Sequence, residues 1–470
     1  MQARYDLVVL GQGAAAFASA IKASELKAKV AMVGYNATKG TRMGGTCVNV
    51  GCVPSKALLT AGEIYWYGNH GFNGIQFDRK TLNLKQIVNE KDEMVDDFRK
   101  NKYKDVLKNL GIDYYEGEAS FASPKTVNVN GNIISAEKFV VATGAHSSIP
   151  AIEGVEKVDY LTNEEALHLQ KVPESMLIVG AGPVGIEFAQ MYTHFDSKVT
   201  VLQKGLRILP REEPEISEAL EKYLQEEGTR IYKNTQPLTV TKKGSNKLLT
   251  AKVNGKKKRF KAEELLLAVG RTPHTKQIGL DRAGVKTDDK GFILINNTMQ
   301  TTAPHIYAAG DCCGEPMLET TAAKEGAIAS ENALSGAGKK MDYSSVPHAV
   351  FTSPQVASVG MTDQQAVAAG YKCTCRILGM ESVPKSHIIK DTRGLIKMVT
   401  DSKTKRILGI HILAPHAADL IHAGVFIVRN RLTVDDVIDT VFNFPTLSEA
   451  IKMTAQMYYK DVTKLSCCIE

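Results

Sequence analysis

No stretch of the sequence is apolar and long enough to span a bilayer, so no transmembrane helix is expected. The first residues enter a strand at once, so a cleavable signal peptide is not expected. Charge of one sign is scarce: the net charge of +7 is modest for 470 residues. The densest basic run, Lys256-Lys257-Lys258-Arg259 with Lys261, follows Asn254-Gly255, a dipeptide of hairpin turns. It reads as a solvated hairpin tip, and no nucleic-acid partner is expected. Tryptophan occurs once. The rest of the composition, 43% hydrophobic and 23% charged with 38 glycines, is that of an ordinary soluble globular protein. The length suits roughly two to four domains.

A dispersed cysteine framework is also missing. The eight cysteines fall into four close pairs: Cys47/Cys52, Cys312/Cys313, Cys373/Cys375 and Cys467/Cys468. Small secreted scaffolds space their cysteines differently, and adjacent cysteines close only strained disulfides. The pattern suggests a reducing, cytoplasmic setting and soft-metal or redox chemistry. Packing is the expectation for Cys312, which follows Asp311 at a turn. Cys373 and Cys375 share one face of an expected strand and could bind metal adventitiously.

What is present centres on Gly44-Gly45-Thr46-Cys47-Val48-Asn49-Val50-Gly51-Cys52-Val53-Pro54-Ser55-Lys56. In a regular helix, positions i and i+5 point about 140° apart. Two sulfurs at that spacing meet only if the backbone leaves the helix between them. Gly44, Gly45 and Gly51 permit the departure, and Pro54 suits the first turn of a following helix. A helix N-terminus and Lys56 would both favour thiolate. The stretch reads as a redox-active pair; a structural disulfide or half of a metal site are the alternatives. No second Cys/His pair at zinc-finger spacing stands nearby.

Two glycine motifs flank this pair in the chain. An apolar strand from Tyr5 to Leu10 runs into Gly11-Gln12-Gly13-Ala14-Ala15-Ala16, then a helix and a strand at Val30–Val33. Such a unit places a pyrophosphate at a helix N-terminus. The acidic residue expected at the end of its second strand, to hold a ribose, is missing and Gly34 stands there. Met176–Val179 opens a second unit, with Gly180-Ala181-Gly182-Pro183-Val184-Gly185, a helix carrying Glu187 and a strand from Lys198 to Leu202. This internal repeat implies two dinucleotides facing each other. After the second unit come Gln203, Lys204 and Arg207; positive charge there selects a ribose 2′-phosphate, hence NADPH over NADH. Phe139-Val140-Val141-Ala142-Thr143-Gly144, and Leu265–Val269 leading to Gly270-Arg271-Thr272-Pro273, read as crossings between the two units. An apolar strand ending in Gly310-Asp311 puts a carboxylate at a sheet's carboxyl edge, for a flavin contact or a structural cap. A charged helical stretch spans Leu84 to Leu110 and carries Tyr103. From Met341 onward, strands then helices without a glycine motif make an α+β module.

In this order the motifs resemble the pyridine nucleotide–disulfide oxidoreductase family over essentially the whole chain, and most closely its mercuric reductase branch. The resemblance implies an α/β fold with two Rossmann-like domains and a C-terminal α+β dimerisation domain. It implies a discontinuous FAD domain (1–149 and 276–340), a nicotinamide domain (150–275) and a dimerisation domain (341–470). FAD is then expected against Gly11, Gly13, Ala14, Ala15, Ala16, Gly45, Thr46, Lys56, Thr143, Gly144 and Asp311. NADPH is expected against Gly180, Gly182, Pro183, Val184, Gly185, Glu187, Gln203, Lys204, Arg207 and Gly270. Cys52 is implied as the thiolate against the flavin, Cys47 as the sulfur facing substrate, and Lys56 with Glu187 as an ion pair beside them. A homodimer whose active sites draw on both subunits is implied too. The terminal Cys467 and Cys468 match the branch's mobile tail thiols, which collect Hg(II) as a thiol complex and pass it to Cys47 and Cys52. Disulfide-reducing members carry a histidine before Pro-Thr; here Phe444 stands there, while its glutamate partner, Glu449, remains. Reducing a disulfide needs a proton donor, whereas moving a soft ion between thiolates does not. Of two tyrosines near the branch's inner metal site, Tyr103 matches one and Phe444 replaces the other. Many relatives carry an N-terminal Cys-x-x-Cys domain ahead of the FAD strand; this sequence opens on that strand, so metal is expected from solution thiols or the tail.

Overall fold

Short apolar runs, each ending at a glycine turn, become buried parallel strands, and they do so twice. The computed structural model describes residues 3–34, 42–70, 75 and 81–461. The first unit is β1 (Ala3–Leu10), α1 (Ala14–Glu25) and β2 (Val30–Gly34). The chain continues through α2 (Gly45–Val50), α3 (Cys52–His70), α4 (Leu84–Arg99), a π-helical turn at Lys100–Lys104 and α5 (Asp105–Leu110). β3 (Asp113–Glu116), β4 (Ala119–Ser123), β5 (Thr126–Val129), β6 (Asn132–Val141) and β7 (Ala145–Ser147) follow. β3-β2-β1-β6 form a parallel sheet, extended beyond β6 by β5 and β4, which run antiparallel.

The second unit follows α6 (Asn163–Ala166) and consists of β8 (Ser175–Val179), α7 (Pro183–His194), β9 (Lys198–Leu202), α8 (Pro214–Glu226) and β10 (Arg230–Tyr232). β11 (Thr235–Lys243), β12 (Asn246–Val253) and β13 (Lys256–Ala262) make a separate antiparallel sheet, and β14 (Glu264–Leu267) returns to pair with β8. The order β10-β9-β8-β14 repeats β3-β2-β1-β6. The match extends to single hydrogen bonds. The amide of Gly11 donates to Val33 and that of Gly180 to Leu202; Ala142 donates to Leu10 and Ala268 to Val179. A Cβ on Gly11 would lie 2.1 Å from the Ala142 carbonyl oxygen, and one on Gly180 2.2 Å from that of Ala268. Both turns have glycine because the crossing strand leaves no room for a side chain.

β15 (Arg271–Pro273) pairs antiparallel with β7, tying the two crossings together, and β16 (Ile306–Ala308) joins β6. α9 (Glu319–Ser335) packs on α1 so closely that a Cβ on Gly326 would lie 2.1 Å from the Ala15 carbonyl oxygen. The C-terminal module is β17 (His348–Val350), β18 (Gln355–Gly360), α10 (Asp363–Ala368), β19 (Cys373–Gly379), α11 (Pro384–Ile388), β20 (Leu395–Asp401), β21 (Ile407–Ala414), α12 (Ala417–Arg429), α13 (Val434–Asp439) and α14 (Glu449–Gln456). Its antiparallel sheet runs β17-β18-β21-β20-β19, and every residue of β21 is buried.

Two expectations change. The basic run after Asn254-Gly255 is not the hairpin tip but the strand β13, paired only with β12. Alternation puts Phe260 and Ala262 inside and Lys257, Arg259 and Lys261 outside, while Lys258, on the inner face, extends over the rings of Tyr232 and Phe260; the result is a charged edge that discourages further pairing. The helical stretch from Leu84 to Leu110 is broken by the π turn that carries Tyr103. Among the described residues no helix is long and apolar enough to cross a membrane.

Candidate active site

Gly44 and Gly45, at φ +97° and +68°, turn the chain left-handed into α2. A Cβ on Gly45 would lie 2.6 Å from Gly13 Cα, so α1 and α2 begin against each other. α2 carries Cys47 and ends at Gly51, whose φ of −126° and ψ of −119° leave the helix; α3 then starts at Cys52. A Cβ on Gly51 would lie 2.8 Å from the Thr46 carbonyl oxygen. This one non-helical residue brings two sulfurs together that a continuous helix would hold apart. Cys47 Sγ, Cys52 Sγ and a carboxylate oxygen of Glu319 all lie within 4.8 Å of one another, and both cysteines are free.

Glu319 was not among the residues expected here. It opens α9, and its Oε2 accepts a hydrogen bond from Cys47 Sγ at 2.7 Å, across 272 residues of sequence. The sulfurs are electrostatically unequal. The hydrogen bond with Cys52 raises the Cys47 thiol, and burial and the Glu319 carboxylate push the same way. For Cys52, the hydrogen bond from Cys47 lowers the pKa, burial opposes it, and the Lys56 ammonium lowers it further. The two sulfurs are thus pushed in opposite directions, Cys52 down and Cys47 up. Lys56 sits one helical turn beyond Cys52 and pairs with the buried Glu187 of α7 at 2.8 Å. Glu187 also accepts from the Phe351 amide at 2.9 Å, and the Lys56 ammonium lies 4.6 Å from the Phe351 ring centre. Tyr103 packs edge-on against Phe17, with ring centres 4.8 Å apart. Burial, then the charges of Glu319, Cys47 and Cys52, push its hydroxyl up to about 12.

The residues around the first glycine turn suit a dinucleotide. The N-terminus of α1 has no side-chain cap and no acidic residue in its first turn, so its amides are open to a pyrophosphate. In the crossing after β6, the Thr143 hydroxyl oxygen is buried without a partner among the described residues, and a Cβ on Gly144 would meet nothing within 4 Å. Asp311 follows β16 and is paired with Arg271 Nε at 3.3 Å; burial raises its carboxyl and Arg271 opposes that. Arg271 also donates to Thr46 Oγ1 at 3.2 Å and to the Ala145 carbonyl, binding four segments into one wall. The return crossing read from the sequence contains Arg271 but gives it no role. At Gly34 a side chain would lie 2.3 Å from Gln12 Oε1 and 2.5 Å from the Tyr114 hydroxyl. The space a side chain at position 34 would need is thus filled by a neutral pair, Tyr114 donating to Gln12 at 2.8 Å.

The second turn suits another dinucleotide. α7 starts from Gly182 with Pro183 in its first turn and no side-chain cap; a Cβ on Gly182 would meet nothing within 4 Å. Gly185 is forced by closeness, since its Cβ would lie 2.1 Å from the Gly180 carbonyl oxygen. Val184 is 43% exposed beside this turn, and a Cβ on Gly270 would meet open space. Gln203 accepts from the Ala181 amide at 3.3 Å and donates to the Arg207 carbonyl at 2.9 Å, fixing the loop that holds the exposed Lys204 and half-buried Arg207.

Not every expected residue joins the site. Glu449 starts α14, where its carboxylate accepts from the Thr446 amide at 3.3 Å, and it is outside the cluster of Cys47, Cys52 and Glu319. Phe444 is 48% exposed and Val441 91% exposed in the C-terminal module. Cys467 and Cys468 lie outside the described residues. Cys312 is buried among Phe121, Phe139 and Ile306, as the packing expectation had it.

Comparison with known proteins supplies the family. Residues 5–326 match the pyridine nucleotide-disulphide oxidoreductase family, and residues 346–455 match that family's dimerisation domain. The chain is 42% identical to a mercuric reductase of Lysinibacillus sphaericus over 99% of this chain and 84% of that protein. It is 39% identical to a mercuric reductase of Streptomyces lividans over 99% of this chain and 98% of that protein. Among solved structures, the HOCl-induced flavoprotein disulfide reductase RclA from Escherichia coli, in its Cu(II) complex, superposes with a TM-score of 0.86 at 27% identity, covering 97% of this chain and 99% of that one. With two dinucleotide folds, a paired-sulfur turn between them and a matching dimerisation module, the chain belongs to the pyridine nucleotide-disulphide oxidoreductase family, as the mercuric reductases do.

Proposed function

We propose that this enzyme reduces Hg(II), held between cysteine sulfurs, to elemental mercury with electrons from NADPH. The observation that carries the proposal is the Cys47–Cys52 pair, one sulfur lowered and the other hydrogen-bonded to Glu319. Bound FAD, along the first glycine turn, Thr143, Gly144 and Asp311, and NADPH, along the second, would supply the two electrons. The chain's own residues do the rest. Lys56, fixed by Glu187, keeps Cys52 ionised for attack on a thiol-bound mercuric ion. Glu319 takes the proton of Cys47 as that sulfur becomes the second ligand, and the small thiols leave. Soft sulfur suits this cation better than any oxygen donor nearby. Two electrons then neutralise the ion and it departs uncharged, leaving both sulfurs to take up the next one.

The C-terminal module dimerises the chain, and Cys467 and Cys468 of the partner subunit deliver the ion to Cys47. Phe444 and Glu449 face that exchange from the partner, without a proton donor at position 444. Lys204 and Arg207 select the phosphorylated nucleotide. The division into a discontinuous FAD domain, a nicotinamide domain and a dimerisation domain follows the two repeated sheets and the C-terminal sheet, and the enzyme works in the cytoplasm. The second reading, a flavin disulfide reductase, is favoured by the likeness to RclA. Assaying NADPH oxidation with Hg(II) in excess small thiol, and separately with lipoamide and glutathione disulfide, decides between them.

A further inference from the structure

A second set of sulfur ligands stands on the C-terminal module. Cys373 and Cys375 alternate along the edge strand β19, so both face the side covered by α10. Asp363 opens α10, and its Oδ1 accepts from Cys373 Sγ at 2.7 Å. One ligand atom from each of Asp363, Cys373 and Cys375 lies within 4.8 Å of the other two. All three residues are partly exposed, over an apolar floor of Ala366, Val399 and Leu408. Asp363 is itself anchored: its amide donates to Glu213 Oε1 at 2.6 Å, and the capping box of Thr362 and Gln365 fixes the start of α10.

We propose that Asp363, Cys373 and Cys375 form a second binding site for a thiophilic divalent cation, separate from the Cys47–Cys52 pair. The geometry favours a bridging ion over a disulfide. Residues i and i+2 of a strand are about 6.6 Å apart at Cα, the upper edge of the disulfide range, and their Cβ vectors run parallel instead of converging. A two-coordinate ion between two sulfurs needs about 4.6 Å, twice a metal–sulfur bond of about 2.3 Å. The observed spread of ligand atoms accommodates that, with the carboxylate as a third donor. Two thiolates and one carboxylate select a soft or borderline cation over magnesium or calcium. Three protein ligands leave a fourth position open, so the ion is exchangeable.

Binding has a proton cost that marks the site. The hydrogen bond to Asp363 raises the Cys373 thiol, and burial and the same carboxylate push Cys375 up to about 12. Lys397, paired with Glu213 and Glu215, opposes the rise at Cys375. A cation entering the site forms two metal–sulfur bonds and releases about two protons, so its affinity climbs with pH.

The test uses Cd²⁺ and the full-length, FAD-loaded chain with Cys47, Cys52, Cys467 and Cys468 all changed to alanine. That protein is expected to bind one Cd²⁺ with a sulfur-to-metal ultraviolet band and to release about two protons. Adding Cys373→Ser and Cys375→Ser abolishes the band. Asp363→Asn weakens binding by about tenfold or more, since even an outer-shell partner is worth that much. FAD absorbance and elution volume report that each variant is folded, and Asp363→Asn carries the test if the double serine variant is not. No band in the four-alanine chain, an undiminished band after Cys373→Ser and Cys375→Ser, or unchanged affinity in Asp363→Asn would each overturn the site.

Discussion

Glu319 and Lys56 add to the inequality of the two sulfurs from opposite sides. The Glu319 carboxylate accepts from Cys47 at 2.7 Å, whereas Cys52 lies nearer the Lys56 ammonium. Replacing Glu319 by glutamine keeps the shape and removes the proton acceptor. Glu319→Gln is therefore expected to slow Hg(II)-dependent NADPH consumption by about 10²-fold, the lower end of general-base effects, with FAD content unchanged. A glutamine variant as fast as the parent would leave Glu319 without a part in ligand exchange. At the other cofactor turn, Lys204 and Arg207 flank the end of β9. Changing both to alanine is expected to raise the KM for NADPH by about 10²-fold or more and leave that for NADH unmoved, because each charged hydrogen bond is worth about 1.5–3 kcal/mol. Equal changes for both nucleotides would indicate a general loss of fit.

The elements show which parts of this arrangement a sequence can reveal. Gly11, Gly180 and the cysteine turn were legible because each depends on local chemistry: a residue without Cβ against a crossing strand, and a helix stop at Gly51. Glu319, the contacts of Arg271 with Thr46 and Ala145, and the Gln12–Tyr114 pair were not, because these partners lie about a hundred residues or more away in sequence and no local spacing links them. The same holds for the joint between α8 and the C-terminal sheet. Buried Lys397 of β20 pairs with buried Glu213 at 3.0 Å and with Glu215 at 2.9 Å. Lys397→Met leaves Glu213 buried without its cation and is expected to cost about 3–5 kcal/mol of stability, read as a lowered unfolding midpoint. Beside it, His348 bonds Glu212 at 2.6 Å. Burial lowers the His348 imidazole, but Glu212 more than restores it, so its pKa is raised; burial raises the Glu212 carboxyl, but His348 and Ser358 outweigh this, so its pKa is lowered. A raised imidazole contributes stability below its ordinary value of about 6.5, and that contribution is lost as pH rises through the folded value. A lowered carboxyl contributes above its ordinary value of about 4.3, and that contribution is lost as pH falls through the folded value. The midpoint difference between the parent and His348→Gln should be largest between about pH 4.3 and 6.5 and shrink on the alkaline side. A difference independent of pH would contradict the pairing.

At the scale of the whole molecule, the apolar residues left outside point to a second copy. Val441 is 91% exposed and Phe426 64% exposed in the module matching the family's dimerisation domain. Val441→Asp is expected to shift the enzyme towards monomers by sedimentation and, on the proposal that the partner's tail delivers the ion, to lower mercury turnover in step. Monomers of full activity would confine the reaction to one chain. The central claim is that two electrons leave through neighbouring sulfurs onto a thiophilic cation. Its most direct measurement is NADPH consumption by the purified holoenzyme with Hg(II) in excess small thiol, with mercury vapour collected from the headspace. One mercury atom released per NADPH consumed, and no comparable oxidation with lipoamide or glutathione disulfide, is the result expected. Rapid cleavage of an organic disulfide with no mercury vapour would contradict it.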